Sequence, residues 1–82
     1  SLPTNWQLTS GYLIGPKANL INATLTDATL TDAKLTDANL YDANLTNADL
    51  TDAHLTDAWL KVANLTNANT SGTNFAKTTG KI

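Results

Sequence analysis

The sequence predicts an all-β solenoid on three observations: a five-residue period that runs without a break, the oddness of that period, and a turn-forming residue in most repeats. From Leu20 to Leu65 a Leu stands at every fifth position, and an Ala lies two residues before each one, from Ala18 to Ala63. Ala68 keeps the register with Thr70 in the Leu slot, and Phe75 fills the next slot with Thr73 in place of Ala. Twelve repeats of the form Ala-x-Leu-Thr-Asp/Asn therefore run from Ala18 to Lys77.

On an α-helix, at ~100° per residue, Leu residues five apart would be rotated by about 140° and scattered around the axis. On a continuous strand the Ala and Leu of one repeat share a face, but an odd period sends the next pair to the opposite face. The chain must therefore turn once per repeat. Three-residue strands separated by corners, with Asp or Asn at each corner satisfying turn N–H groups, keep every Ala and Leu inward. Coils wound in this way stack at the inter-strand spacing of roughly 4.8 Å.

Composition agrees. Leu, Ala, Thr, Asn and Asp (13, 12, 15, 10 and 7 residues) supply 57 of the 82 positions, while Cys, Met, Arg and Glu are absent, a bias too strong for an ordinary globular core. The length allows one domain with little room for a deep cleft, which excludes a multi-domain enzyme. A net charge of −2 lacks the basic footprint of a protein that binds nucleic acid directly. No apolar run approaches the ~18 residues of a membrane span, so a soluble chain without membrane insertion is expected. The lack of Cys excludes disulfides and thiol chemistry but leaves the compartment open between a bacterial cytoplasm and export. The sequence begins at Ser1 rather than Met and reads as a fragment or a processed domain.

The segments Ala38-Asn39-Leu40, Ala43-Asn44-Leu45, Ala48-Asp49-Leu50 and Ala63-Asn64-Leu65 are similar to the Ala-(Asp/Asn)-Leu-x-x pattern of the pentapeptide-repeat family. The resemblance covers about three quarters of the chain, and twelve repeats in register are far more specific than one. It implies a right-handed quadrilateral β-helix with four repeats per coil, hence about three coils here. The square cross-section is an implication of the resemblance, not of composition.

Residues 1–17 precede the repeats and read as a strand-forming cap over the open first coil, whose uncovered edge would otherwise invite stacking. Trp6, Tyr12, Leu2, Leu8, Leu13 and Ile14 supply its apolar surface, and Pro3, Gly11, Gly15 and Pro16 punctuate it. The segment is similar to the lead-in segments of bacterial pentapeptide-repeat proteins. Leu8 and Leu13 fall in the Ala register, which leads to the expectation that coiling begins before Ala18. Residues 18–77 form the solenoid, its Ala and Leu the core. At the far end Phe75 supplies a last bulky plug, and residues 78–82 read as a frayed tail.

With four repeats per coil, residues 20 apart stack, and the outward columns can be searched for chemistry. His54 lies between Lys34 and Asn74 with no hydroxyl or carboxylate in its own column, so no nucleophile and base are brought together and no catalytic residue is expected. There is no His/Cys cluster for zinc and no Gly-rich phosphate loop, so neither a metal nor a cofactor is expected. Asp32 with Asp52 and Asp37 with Asp57 pair carboxylates, but two fall short of the six to eight oxygens that Ca²⁺ takes. Thr24, Thr26, Asn44, Thr46, Asn64 and Thr66 make a small polar array of the kind that ice-binding solenoids present. Tyr41, Trp59, Lys61 and Val62, with Ile21 nearby, gather on one face and are the candidate interaction surface.

The resulting reading is a non-enzymatic structural or protein-interaction module, a rigid scaffold. Its expected partner is another protein or a second copy, joined end to end or face to face. The family resemblance also raises DNA mimicry directed at topoisomerases. Three coils at ~4.8 Å span about 15 Å, or some four to five base pairs at the 3.4 Å step, and together with the low charge this is short and neutral for a mimic. Ice binding and Ca²⁺ binding are the remaining alternatives.

Overall fold

The computed structural model describes residues 2–78. Parallel pairing between residues 20 apart runs through the repeats. Asn19 pairs with Asn39 and Asn39 with Trp59, and the same step links Thr24, Asn44 and Asn64, then Thr29, Asp49 and Asn69, then Lys34, His54 and Asn74. Four repeats therefore close one coil, and three coils stack (residues 18–37, 38–57 and 58–77). Transverse extents of 24 and 23 Å are nearly equal, as a four-sided cross-section requires.

Each wall is held by three backbone bonds that repeat from level to level. Between the first two coils, Asn39 N–H donates to Ala18 O, Leu20 N–H to Asn39 O, and the corner Asn22 N–H to Tyr41 O, all at 2.8–2.9 Å. The residue before the Leu is thus bonded through both its N–H and its C=O, and it alone forms the paired position of its wall. The strands are shorter than the three residues the pattern suggests, because the corner begins at once.

The corner is a four-residue turn from one Leu to the next Ala, closed for example by Ala23 N–H donating to Leu20 O at 3.0 Å. Its third residue has positive φ throughout, from Asn22 at 62° and Asp27 at 63° to Asn67 at 59°, the requirement of a type II turn. This gives the corner Asp and Asn a different task from the expected one. They are there because they tolerate the left-handed conformation, in which a Cβ normally crowds the following carbonyl. The side chain that does satisfy a turn-region N–H is the Asn or Asp before the Leu: Asn39 Oδ1 accepts Tyr41 N–H at 3.1 Å and Asn64 Oδ1 accepts Thr66 N–H at 2.9 Å.

The interior is filled by side chains alone. Ala18 to Ala63 and Leu20 to Leu60 are buried in every repeat, whereas Leu65, Ala68 and Phe75 at the C-terminal end are only partly covered. Thr73, in an Ala slot, is accommodated there because its hydroxyl donates to Leu50 O of the coil below at 2.6 Å. Thr78 N–H and its hydroxyl both bond Phe75 O, and the rest of the expected tail lies outside the described residues.

The N-terminal segment forms an antiparallel hairpin of β1 (Gln7–Thr9) and β2 (Tyr12–Ile14). Ser10 and Gly11 both have positive φ, 52° and 86°, which is the two-residue turn whose twist matches a hairpin. Ile14 is fully buried on the first coil, and Trp6 and Tyr12 pack against the core. Tyr12 Oη accepts Thr24 N–H at 3.1 Å and Gln7 Nε2 donates to Thr29 O at 3.3 Å, so side chains cover backbone groups at the edge of the first coil. A Cβ at Gly15 would run into the Trp6 ring, which fixes glycine at this position. Leu8 and Leu13 do not extend the coil inward as their register suggests. They face each other across the hairpin on its outer side, 66% and 53% exposed, because a hairpin alternates faces every two residues and turns Ile14 inward instead.

Candidate functional site

On three of the four walls the position after the Leu slot is Thr in the first two coils, followed in the third by Thr66, Ser71 or Ala76: Thr26, Thr46 and Thr66 on one wall, Thr31, Thr51 and Ser71 on the next, and Thr36, Thr56 and Ala76 on the third. The remaining wall carries Ile21, Tyr41 and Lys61 there. Its paired column is Asn19, Asn39 and Trp59, and its corner column is Asn22, Asp42 and Val62. The coil repeat therefore brings all four expected residues, Tyr41, Trp59, Lys61 and Val62, onto a single wall across the second and third coils. Ile21 belongs to the same wall one coil below. Tyr41 and Trp59 are 41% and 42% exposed and Val62 is 60% exposed, so this wall carries the exposed large apolar side chains of the repeats, separate from Leu8 and Leu13 on the hairpin.

Two of these residues depart from the pattern of their own columns. Val62 adopts φ 65° at its corner, where the other described non-glycine residues are Asn, Asp and Lys. A β-branched side chain in this conformation is a genuine outlier, and the left-handed region costs an L-residue roughly 1–2 kcal/mol. Trp59 replaces the Asn that would accept the N–H two residues on. Asn19 and Asn39 make that bond to Ile21 and Tyr41, and Trp59 offers Lys61 no equivalent acceptor. Both departures place apolar surface on the same wall at a local loss.

The other columns show where their polar groups go. Thr46 and Thr66 donate their hydroxyl hydrogens to Asn44 and Asn64 Oδ1, each at 2.6 Å, so two of the four Thr in the expected ice-binding array turn their donors back on it. Asp49 accepts both the hydroxyl and the backbone N–H of Thr51, at 2.6 and 3.0 Å. These two bonds, the hydroxyl's first, hold its carboxyl below the ordinary carboxylate range, with the Thr31 hydroxyl adding a smaller effect. A Cβ at Gly72 would meet a carboxylate oxygen of Asp52, the free end of a side chain that can turn aside. Among the described residues no group of three or more His, Cys, Asp or Glu is disposed to hold a metal ion. His54 stands exposed between Lys34 and Asn74. No helix among the described residues is long and apolar enough to cross a membrane.

The architecture has known relatives. The family model for pentapeptide repeats matches eight copies over residues 18–57. The crystal structure of a pentapeptide repeat protein, Rfr23, from the cyanobacterium Cyanothece 51142 is similar over 83% of this chain, with 36% sequence identity and a TM-score of 0.76. The match covers 47% of that protein, so the present chain spans about half its length. A search of curated proteins found no match. The five-residue period, the 20-residue coil and these two matches converge: the chain belongs to the pentapeptide-repeat family.

Proposed function

We propose that this chain is a non-enzymatic scaffold module that contacts another protein through the wall bearing Tyr41, Trp59, Lys61 and Val62. The observation that carries the reading is Val62, an apolar, exposed residue in a strained corner beside an exposed Trp59. Strain of this kind persists where the surrounding structure enforces it, and it gathers at functional sites. Tyr and Trp dominate the energetics of protein contacts because they offer large rigid area with a polar tip. A solenoid supports the role mechanically, since each coil is bonded along all four sides and its interior is closed by Ala and Leu. A substrate would find no room inside it.

The test is site-specific photocross-linking. A photoreactive phenylalanine at position 41 or at position 26, on the neighbouring wall, is activated in a lysate of the organism that makes the protein. Protein adducts from position 41 and none from position 26 are expected. Equal yields from both walls would remove the reading.

A further inference from the structure

We propose that the occupant of this wall is a second copy of the chain, docked face to face about a two-fold axis that runs along the strands and passes between the second and third coils. The inference rests on the reading of the wall as a contact face and names its partner.

The wall is a grid whose dimensions follow from the pairing. Coils are about 4.8 Å apart, and residues two apart along a strand are separated by about 7 Å. Asn39 and Trp59 are directly paired, which places Tyr41 under Lys61 and Asp42 under Val62 in the adjacent columns. A two-fold axis along the strands inverts the order of coils and leaves each column facing itself. If the axis crossed the second coil, Asp42 would lie on Asp42 of the other copy. If it crossed the third, Lys61 would lie on Lys61. Between them, the third coil of one copy covers the second coil of the other.

In that placement opposite charges meet. Lys61 of each copy lies over the partner's Tyr41, with its ammonium over the ring face, and the partner's Asp42 is the next residue along. Symmetry makes the arrangement twice. The two Trp59 side chains fall side by side across the axis, about one coil spacing apart, where offset stacking is available. By the same symmetry Val62 lies over the partner's Asp42 and Trp59 over the partner's Asn39, so the Val62 methyls pack beside the Lys61–Asp42 pair at the corner. Both charges are exposed in the single chain and lie beside apolar surface that the contact would cover. A patch of this extent is small beside the ~800 Å² per partner of a standard interface, so the association is of the weak, transient class.

The experiment uses sedimentation of the whole chain up to about 1 mM, a concentration suited to weak association. Lys61→Asp and Asp42→Lys are compared with the parent, alone and mixed in equal amounts. Asp42→Lys puts a lysine in a corner conformation that Lys17 and Lys77 already adopt, at φ 63° and 58°, so the fold tolerates it, and circular dichroism checks both variants. The parent is expected to dimerise, each variant alone to dissociate at least about tenfold more readily, and the mixture to recover dimer, because only the heterodimer pairs opposite charges at both positions. Recovery in the mixture distinguishes the proposed symmetry from general stickiness. A parent that stays monomeric throughout, variants that dimerise as well as the parent, or a mixture that fails to recover overturns the proposal. Adducts from position 41 to a different protein, together with a monomeric parent, would leave the contact-face reading standing and remove only the second copy.

Discussion

One side-chain oxygen of Asn44 accepts two hydrogens from Thr46, the backbone N–H at 3.0 Å and the hydroxyl at 2.6 Å. The same pair recurs as Asn64 with Thr66 and as Asp49 with Thr51. In these three repeats the Asn or Asp before the Leu and the Thr after it act as one bonded pair, whereas elsewhere each stands without the other, as in Thr24 with Thr26 and Asn39 with Tyr41. Asn44→Ala is expected to lower stability by about 1 kcal/mol, the usual net worth of such bonds at a surface. In a double-mutant cycle with Thr46→Val the two changes should fall short of additive, read from urea unfolding midpoints. Full additivity would show that the shared oxygen does not couple them.

Asp49 gives the same geometry a pH dependence. Its carboxyl is held below the ordinary range by Thr51, so its contribution is fully present above the unfolded-state value of about 3.9 and is lost as pH falls through the lowered folded value. Asp49→Asn should keep both Thr51 bonds, as Asn44 does with Thr46, and should flatten the acid limb of stability measured from about pH 5 downward. An unchanged acid limb would mean that the Thr51 bonds do not favour the charged form.

Val62→Asn is expected to raise stability by about 1 kcal/mol, because Asn tolerates the left-handed corner that a β-branched residue resists. Asn22, Asn47 and Asn67 already hold the equivalent corner at φ 59–62°. Thermal unfolding measures the gain, and a fall in midpoint would mean that contacts of the Val62 side chain outweigh its strain.

Leu45 is fully buried in the middle coil, with a filled coil on either side. Leu45→Ala should destabilise the chain by roughly 2–5 kcal/mol through lost burial and the cavity it leaves. Leu45→Asp should abolish the β-type circular dichroism altogether, since nothing inside the solenoid could pair the charge. Retention of a cooperative transition by the Asp variant would show that a coil can open without its neighbours.

Gly15→Ala should loosen the N-terminal hairpin by forcing the Trp6 ring away from the backbone. In a Trp59→Phe background, where Trp6 is the remaining indole, its fluorescence should shift to the red, and hydrogen exchange at Thr24, whose N–H bonds Tyr12 Oη, should quicken. An unshifted emission would indicate that the ring adjusts without undocking.

The solenoid is legible in the sequence because its signal is periodic. Ala and Leu at fixed offsets require one turn per five residues, and the 20-residue stacking of Asn19, Asn39 and Trp59 follows once four repeats close a coil. The four residues singled out from that stacking do share one wall. What the pattern hides is the division of labour between two similar residue types. Turn chemistry alone makes hydrogen-bond acceptors of the corner Asp and Asn, but their backbone conformation explains them, and the accepting role belongs to Asn39, Asn44 and their counterparts before the Leu. A count of residue types cannot separate a side-chain role from a backbone one. The hairpin is half visible: Ser10-Gly11 between two short apolar runs is a two-residue turn signal, yet Leu8 and Leu13 sit in the Ala register and mimic an extra repeat. A hairpin's period of two and a coil's period of five cannot be distinguished over so few residues.

A coil of 20 residues also fixes what insertions and deletions do. Inserting one pentapeptide ahead of the third coil would leave the core alphabet intact while rotating everything after it by a quarter turn. Trp59, Lys61 and Val62 would then move to a different wall from Tyr41. Inserting four pentapeptides would lengthen the rod and restore every column, though Trp59 and Tyr41 would stand one level further apart. Position on this molecule is thus an address with a remainder, and only gains or losses in whole multiples of 20 residues preserve which side chains face the same way.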